Sequence, residues 1–402
     1  MENRFVYMDY NATTPLRDEV KAGMIEDLEV FANASSMHEA GRRARDRVEQ
    51  ARTQVAALIG ARDPMSLLFT SGGSESNNTV FNTMYDMGRR PGATRRKIIT
   101  TAIEHPCVLN AAKHLAEENF PVVFLGVDGH GRISVEELER ELDPGRSAGG
   151  PTLLVSVMAA NNEIGTLQDM KAISAAAKAA GALVHTDAVQ AAGKVPIDVA
   201  AWGVDYLTLS GHKLYGPKGV GCLFVRKGAP AQPLIRGGHQ ELGIRAGTYN
   251  NQGILGFGLA AELAGRDLDS FAARAWALRE RLRKGIAANV PDVRFNGHPT
   301  EVLPNTLNVS FPGAEGEAIL LSLDLEGIEL STGSACASGS LDPSHVLMAT
   351  GVGPELAHGS IRFSMGRGTT EEDVDYVLEK LAPIIKRLRR MSTIPSSACV
   401  NA

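Results

Sequence analysis

The sequence predicts an α/β protein, with a mostly parallel seven-stranded sheet flanked by helices in a large N-terminal unit and a smaller α+β unit behind it. Two observations carry this. From about residue 65 to 225, short apolar runs alternate with amphipathic stretches of helical period. After Gly228 that alternation stops and the pattern changes.

The apolar runs are Leu67–Thr70, Lys97–Thr101, Val122–Leu125, Leu153–Val157, Ala182–His185, Tyr206–Leu209 and Val220–Val225. Unbroken runs of this kind are strands buried on both faces, and the helical stretches between them, such as Met170–Ala180, supply the crossovers of a parallel sheet. In such sheets ligands sit beyond the carboxyl ends of the strands, so the residues just after each run are the ones to search for chemistry. Beyond Gly228 a loop rich in Gly, Gln and Arg (Arg236–Tyr249) precedes a long helical stretch, roughly Gly253–Ala288. Strand-like Thr306–Phe311, a Gly/Ser-rich segment (Ser331–Ser340) and a closing helix (Glu371–Arg390) follow. A boundary near residue 262 is expected, giving a large domain over 16–262 and a small one over 1–15 and 263–402.

The chain has 402 residues, 44% hydrophobic and 22% charged, enough for two cores and deep pockets. A net charge of −5 gives no basis for a nucleic-acid partner or an acidic membrane surface. No run approaches the roughly 18 apolar residues of a membrane span, and the N-terminus lacks the basic-then-apolar pattern of a signal peptide. A cytoplasmic location is expected. The cysteines, Cys107, Cys222, Cys336 and Cys399, match no Cys-x-x-Cys spacing, so neither a metal site nor a disulfide framework is predicted.

Phe69-Thr-Ser-Gly-Gly-Ser-Glu-Ser76 ends a strand, turns on two glycines and opens a helix. The free N–H groups there, with Gly73 and Ser74 at the turn, suit a phosphate, although a capped helix start gives the same pattern. It is not a Walker loop, because no Gly-Lys-Ser/Thr follows. Asp187 closes a buried strand, where a carboxylate needs a cation, a catalytic task or an N-cap role. A pyridinium nitrogen would suit it. Lys213 follows the next strand, with Ser210 and His212 beside it and a glycine-rich loop behind. That setting fits a Schiff-base lysine, with a surface lysine as the alternative.

His105 also follows a strand and is placed to stack on a cofactor ring and to move protons, being the side chain that titrates near neutrality. Cys336 lies among small residues with little to bury, in a loop of about 331–345 expected to be mobile. An exposed thiol there suits the carrier of a transferred atom. Cys107 and Cys222, beside or within apolar strands, read as structural. Arg362, on a strand-like piece of the second unit, suits a bidentate grip on a carboxylate, and Asn162 offers an amide toward substrate or cofactor. The run Arg42, Arg43, Arg45, Arg47 reads as the solvated face of a helix with Val48, Ala51 and Val55 inside.

The motifs taken together resemble those of the group I cysteine desulfurases of the NifS/IscS type. They are Tyr10-Asn-Ala-Thr-Thr, Ser35-Ser-Met-His, Thr70-Ser-Gly-Gly-Ser-Glu, Glu104-His-Pro, Ala160-Asn-Asn-Glu-Ile-Gly, His185-Thr-Asp-Ala-Val-Gln, Ser210-Gly-His-Lys, Arg245-Ala-Gly-Thr, Ser334-Ala-Cys and Ser360-Ile-Arg-Phe-Ser. The likeness covers about residues 5–390. It implies a fold type I, class V aminotransferase-like enzyme that uses pyridoxal 5′-phosphate, works as a homodimer and passes sulfur from L-cysteine to an iron–sulfur scaffold or other sulfur-acceptor protein. Nitrogenase assembly and other thiolation are among the pathways served by such enzymes.

By the same resemblance Lys213 anchors the cofactor, Asp187 pairs with the pyridinium nitrogen and Gln190 contacts the phenolic oxygen. Gly73, Ser74, Ser210 and His212 hold the phosphate, joined by Thr248 of the second subunit. His105 stacks and moves protons, Asn162 and Arg362 bind substrate, and Cys336 takes the sulfur as a persulfide, leaving alanine. Ala34 stands where the family often has Pro, and Tyr249 where Glu usually follows Arg-Ala-Gly-Thr. An aminotransferase or selenocysteine lyase of the same fold is the rival enzyme reading, and a non-catalytic docking scaffold is the rival from another class. A transaminase would need no mobile cysteine, and a scaffold predicts a disrupted cofactor site.

Overall fold

The computed structural model describes residues 4–333 and 342–392. Strand β1 (Val6–Tyr7) leads into helices α1 (Asp18–Asp27) and α2 (Glu39–Leu58). An alternating run follows: β2 (Leu67–Thr70), α3 (Gly73–Gly88), β3 (Lys97–Thr101), α4 (Pro106–Glu117), β4 (Val122–Leu125), α5 (Val135–Leu142), β5 (Thr152–Ser156), α6 (Met170–Ala179), β6 (Leu183–Asp187), α7 (Val199–Trp202), β7 (Tyr206–Ser210) and β8 (Gly221–Val225). Strands β2 to β8 form one seven-stranded sheet in the order β2-β8-β7-β6-β5-β3-β4. Only β8 runs against its neighbours β2 and β7; the other pairings are parallel. This is the predicted mostly parallel α/β sheet.

Every residue of β2, β3, β5 and β7 is buried, which is why these strands lack alternation in the sequence. Successive side chains enter opposite layers. Phe69, Ile99, Val155, Val184 and Leu207 share a core with α2, α6 and the later helix α8 (Asn251–Arg266). Leu68, Ile98, Leu154, Tyr206 and Leu223 pack under α3 and α4. The chain runs outward from β3 to β4, then returns through β5, β6 and β7 on the other side of β3. The strand order therefore switches between β3 and β5, where a crevice opens at the carboxyl ends.

The rest of the chain adds α9 (Leu268–Asn289), β9 (Arg294–Asn296), β10 (Thr306–Ser310), α10 (Gly316–Asp324), β11 (Ile328–Glu329), β12 (Ser331–Thr332), α11 (His345–Ala349), α12 (Pro354–His358), β13 (Ser360–Ser364) and α13 (Glu371–Met391). An antiparallel sheet of order β12-β13-β10-β9 lies under these helices, and β1 pairs with β11. Val6, Met8, Leu282, Val309, Phe363 and Val377 fill a separate core. Helix α13 opens with a capping box between Thr370 and Asp373.

One difference from the sequence expectation is local. The single long helix expected over 253–288 is two helices that meet at Asp267. The carboxylate of Asp267 receives Arg17 at 2.8 Å, Arg367 at 2.7 Å and Arg266 at 2.9 Å. Three guanidinium groups from separate elements hold the residue at the junction, a convergence that helical periodicity does not encode. No helix among the described residues is long and apolar enough to cross a membrane.

Candidate active site

Strands β2, β3, β5, β6 and β7 each lead into residues that line the switch-point crevice. Gly73, Ser74, His105, Asn162, Asp187, Gln190, Ser210, His212, Lys213 and Arg362 line one open cavity of about 320 Å³. Thr248 does not line it and is exposed on its own chain. Cys336 lies outside the described residues, as do the rest of residues 334–341 and Cys399.

At one end of the cavity, α3 begins at Gly73 without any side-chain cap on its first turn. The Glu75 carboxylate instead takes the Ser71 N–H at 2.7 Å and the Arg245 guanidinium at 2.9 Å. The capped-start reading therefore does not hold, and the first-turn N–H groups of a 16-residue helix remain to meet an anion. Close packing needs glycine nearby: a Cβ on Gly221 of β8 would fall 2.6 Å from the Gly72 backbone. His212 sits beside this end, its Nδ1 3.1 Å from the Thr13 hydroxyl. Burial, with Lys213 and Lys218 nearby, lowers its pKa to about 4, so it is a neutral donor or acceptor at neutral pH.

Asp187 closes β6 at 6% exposure. One of its oxygens accepts from Asn77 Nδ2 at 2.7 Å and the other from the Val189 N–H at 3.0 Å. Two donors orient the carboxylate while a lone pair on each oxygen stays available. Lys213 follows β7 on a 3₁₀ turn, and its Nζ donates to the main-chain oxygens of Asn11 and Ala12, each at 2.5 Å.

His105 is the N-cap of α4. Its Nδ1 accepts the Cys107 N–H at 3.2 Å and lies 2.9 Å from the Cys107 sulfur. Burial raises the Cys107 thiol to about 12, so at neutral pH it is a further S–H donor to the same nitrogen. The ring proton of neutral His105 therefore sits on Nε2, and a second proton would break the cap. Burial, assisted by Lys213 and opposed by Asp187, lowers the His105 pKa accordingly. The expectation that Cys107 is purely structural is corrected by this placement, since it lines the cavity and fixes the histidine tautomer. Cys222 is fully buried in β8.

At the other end, Arg362 of β13 donates to Asp9 at 2.7 Å and to Asn162 O at 3.0 Å. Its buried Nε has no hydrogen-bond partner among the described residues. The donor set suits pyridoxal phosphate with an amino-acid substrate: an uncapped helix start, a strand-end carboxylate, an amine, and a guanidinium with unspent donors. Among the described residues, no group of three or more His, Cys, Asp or Glu is arranged to hold a metal ion.

Behind the cavity lies buried Glu104, whose Oε1 accepts from the Met158 N–H and the Thr101 hydroxyl, each at 2.8 Å. Burial raises its carboxyl to about 8, with the Asp187 charge pushing the same way. The unfolded chain ionises this group from about pH 4.5 upward while the folded chain keeps it protonated to about 8, so stability falls as pH rises through that window. Glu104→Gln is expected to raise the melting temperature at pH 8 and to leave it unchanged at pH 4. The gain is worth about 1 kcal/mol or more, and equal melting shifts at both pH values would refute the assignment.

Sequence reasoning missed Asn11, Asn77 and Lys194. Asn77 lies one turn beyond Ser74 on α3 and Lys194 four residues beyond Gln190, so helical spacing could have flagged both. Asn11 reaches the site from the N-terminal segment and carries no such local signal.

Comparison with known proteins agrees with this geometry. The model of the family Aminotransferase class-V matches residues 6–377. "Cysteine desulfurase 2" of Trichormus variabilis is 47% identical over 388 residues, covering 96% of this chain and 94% of that protein. "Cysteine desulfurase IscS" of Dictyoglomus turgidum is 46% identical over 399 residues, covering 99% of each. Among solved structures, a NifS-like protein superposes with a TM-score of 0.88 at 39% identity, covering 96% of this chain and 100% of that one. A structure of SspA in complex with cysteine gives 0.78 at 34% identity, covering 90% and 98%. The chain belongs to the aminotransferase class-V family, and within it to the cysteine desulfurases of the NifS and IscS type.

Proposed function

We propose that this pyridoxal-phosphate enzyme converts L-cysteine to L-alanine and passes the sulfur to Cys336, from which it is supplied to iron–sulfur cluster assembly or another thiolation. The observation that carries the assignment is the single cavity that gathers Asp187, Lys213, the uncapped start of α3 and the partly unspent guanidinium of Arg362. When bound, the cofactor supplies a protonated ring that takes up the charge left as a Cα proton departs.

The chain's own residues do the rest. Gly73, Ser74, Ser210 and His212 hold the phosphate, Asp187 keeps the ring nitrogen protonated, and Gln190 meets the phenolic oxygen. Arg362 and Asn162 hold the substrate carboxylate so that the Cα–H bond faces Lys213. The Lys213 amine, once released, moves the Cα proton at Nζ. His105 stacks on the ring and offers a proton from Nε2. The Cys336 thiolate attacks the substrate sulfur; the S–S bond forms as the Cβ–S bond breaks, and that carbon keeps the electron pair and is protonated. The sum is L-cysteine plus a thiol giving L-alanine plus a persulfide, which balances without a further oxidant.

The solved structure of SspA, 34% identical, is a complex with cysteine, in line with the substrate. A cytoplasmic homodimer is proposed with it, Thr248 of one subunit completing the phosphate site of the other. The exposure of Thr248, and of Phe31 and Met37 at 87% each, supports such an interface. A sulfur-acceptor protein, an iron–sulfur scaffold among the class, is the proposed onward partner. The division at residue 262 is proposed on core membership: Phe257 and Ala261 pack in the first core, Leu278 and Leu282 in the second.

The test is alanine and sulfide release from L-cysteine in the presence of dithiothreitol. Cys336→Ala is expected to keep the visible cofactor band and to lose turnover by at least about 10²-fold, as removal of a nucleophile does. Equal turnover by both proteins would overturn the persulfide route and favour an aminotransferase or related lyase.

A further inference from the structure

Lys194 has no part in the chemistry above, yet it is a lysine at 5% exposure directly behind the cavity. Its Nζ donates to Gln190 Oε1 at 2.7 Å and to Asn11 Oδ1 at 3.1 Å. Gln190 Nε2 in turn donates to the Asn11 main-chain oxygen at 2.9 Å, the same oxygen that receives Lys213 Nζ at 2.5 Å. A carbonyl can only accept, so the Gln190 atom facing Asn11 O is the nitrogen, and the amide oxygen is left to Lys194. An amide nitrogen carries two N–H groups, and one of them remains after Asn11 O is served. Burial, with Lys213 and Arg362 close by, holds the Lys194 ammonium well below the ordinary lysine range, and the amine donates in either protonation state.

We propose that Lys194 is a positioning residue that locks the Gln190 amide with its oxygen turned back into the protein and its N–H side presented to the cofactor's phenolic oxygen. The inference rests on reading Gln190 as the contact to that oxygen. An N–H there favours the ionised phenolic oxygen, whereas a carbonyl would repel it. Without Lys194 the amide loses one of its two holds, and its buried oxygen is left without a donor.

The experiment is a pH titration of the visible cofactor band of the full-length holoenzyme without substrate, with the dissociation constant of pyridoxal 5′-phosphate measured on reconstitution. Lys194→Met is expected to raise the titration midpoint and to weaken cofactor binding about two- to tenfold, the range for one hydrogen bond. Lys194→Gln, which restores an N–H donor, should lie nearer the wild type in both. Gln190→Glu, which keeps a partner for Lys194 but removes the N–H, should shift the midpoint the same way. A wild-type midpoint and affinity in Lys194→Met, with Gln190→Glu shifted, would overturn the role of Lys194 alone. No shift in Gln190→Glu would overturn the reading of Gln190 and this inference with it. Should Lys194→Met not fold, Lys194→Ser, too short to reach Gln190, carries the same two measurements.

Discussion

Asp187→Asn is expected to fold as the wild type does and to lose about 10²–10³-fold in kcat, the range for removing one preorganised electrostatic partner of a developing charge. The fold should survive because the site can absorb the amide. Asn77 already touches Asp187, and its own Oδ1 is buried without a hydrogen-bond partner among the described residues. The substituted amide can donate to that orphaned oxygen after a flip of Asn77, while its remaining oxygen keeps the Val189 N–H. What the neutral side chain cannot do is hold a proton on a ring nitrogen, and the loss falls on kcat rather than on stability. Steady-state kinetics and a melting curve on the same preparation check both halves. A kcat within tenfold of the wild type would remove Asp187 from its assigned role.

The largest expected effect on stability lies away from the chemistry, at Glu241. Arg52 and Glu241 are buried to 3% and 2% side-chain exposure and pair at 2.7 Å and 2.8 Å. Glu241 Oε2 also accepts the Phe69 N–H at 2.8 Å, tying strand β2 to the loop after β8. The residue is held at φ 46°, a left-handed conformation that an L-residue adopts only under constraint. Tyr249 accepts the Glu241 N–H at 3.2 Å, which gives that departure from the family pattern a structural task.

Glu241→Ala leaves a guanidinium buried with the half-exposed Glu49 as its only carboxylate among the described residues, and it should cost about 3–5 kcal/mol in denaturant unfolding. Adding Arg52→Met to that variant should recover part of the loss, because the penalty is the uncompensated charge and not the missing attraction. A loss under about 1 kcal/mol for Glu241→Ala would show that solvent reaches Arg52 readily.

Arg52 also marks where sequence reading stops. Its helix α2 follows the expected pattern, with Val48, Ala51 and Val55 inside. Position 52 falls on that same face, but the charge of an arginine assigns it to solvent, and only a partner 189 residues away accounts for its burial. The break at Asp267 has the same origin, with Arg17 and Arg367 arriving from distant parts of the chain.

The sheet, its strands and the strand ends that line the cavity are legible in the amino-acid pattern. Those features are local: an unbroken apolar run specifies a strand buried on both faces, and the residue just beyond it must lie at the ligand-binding edge. Asp187, Ser210, Lys213 and His105 were legible for that reason. How they are aimed depends on contacts made in the folded chain. Asn11 arrives from the N-terminal segment to receive Gln190, Lys194 and Lys213, and Asn77 orients Asp187 from 110 residues away. A hydrogen bond between residues distant in the chain leaves no periodic trace, because its partners are selected by the folded backbone that brings them within 3 Å of each other.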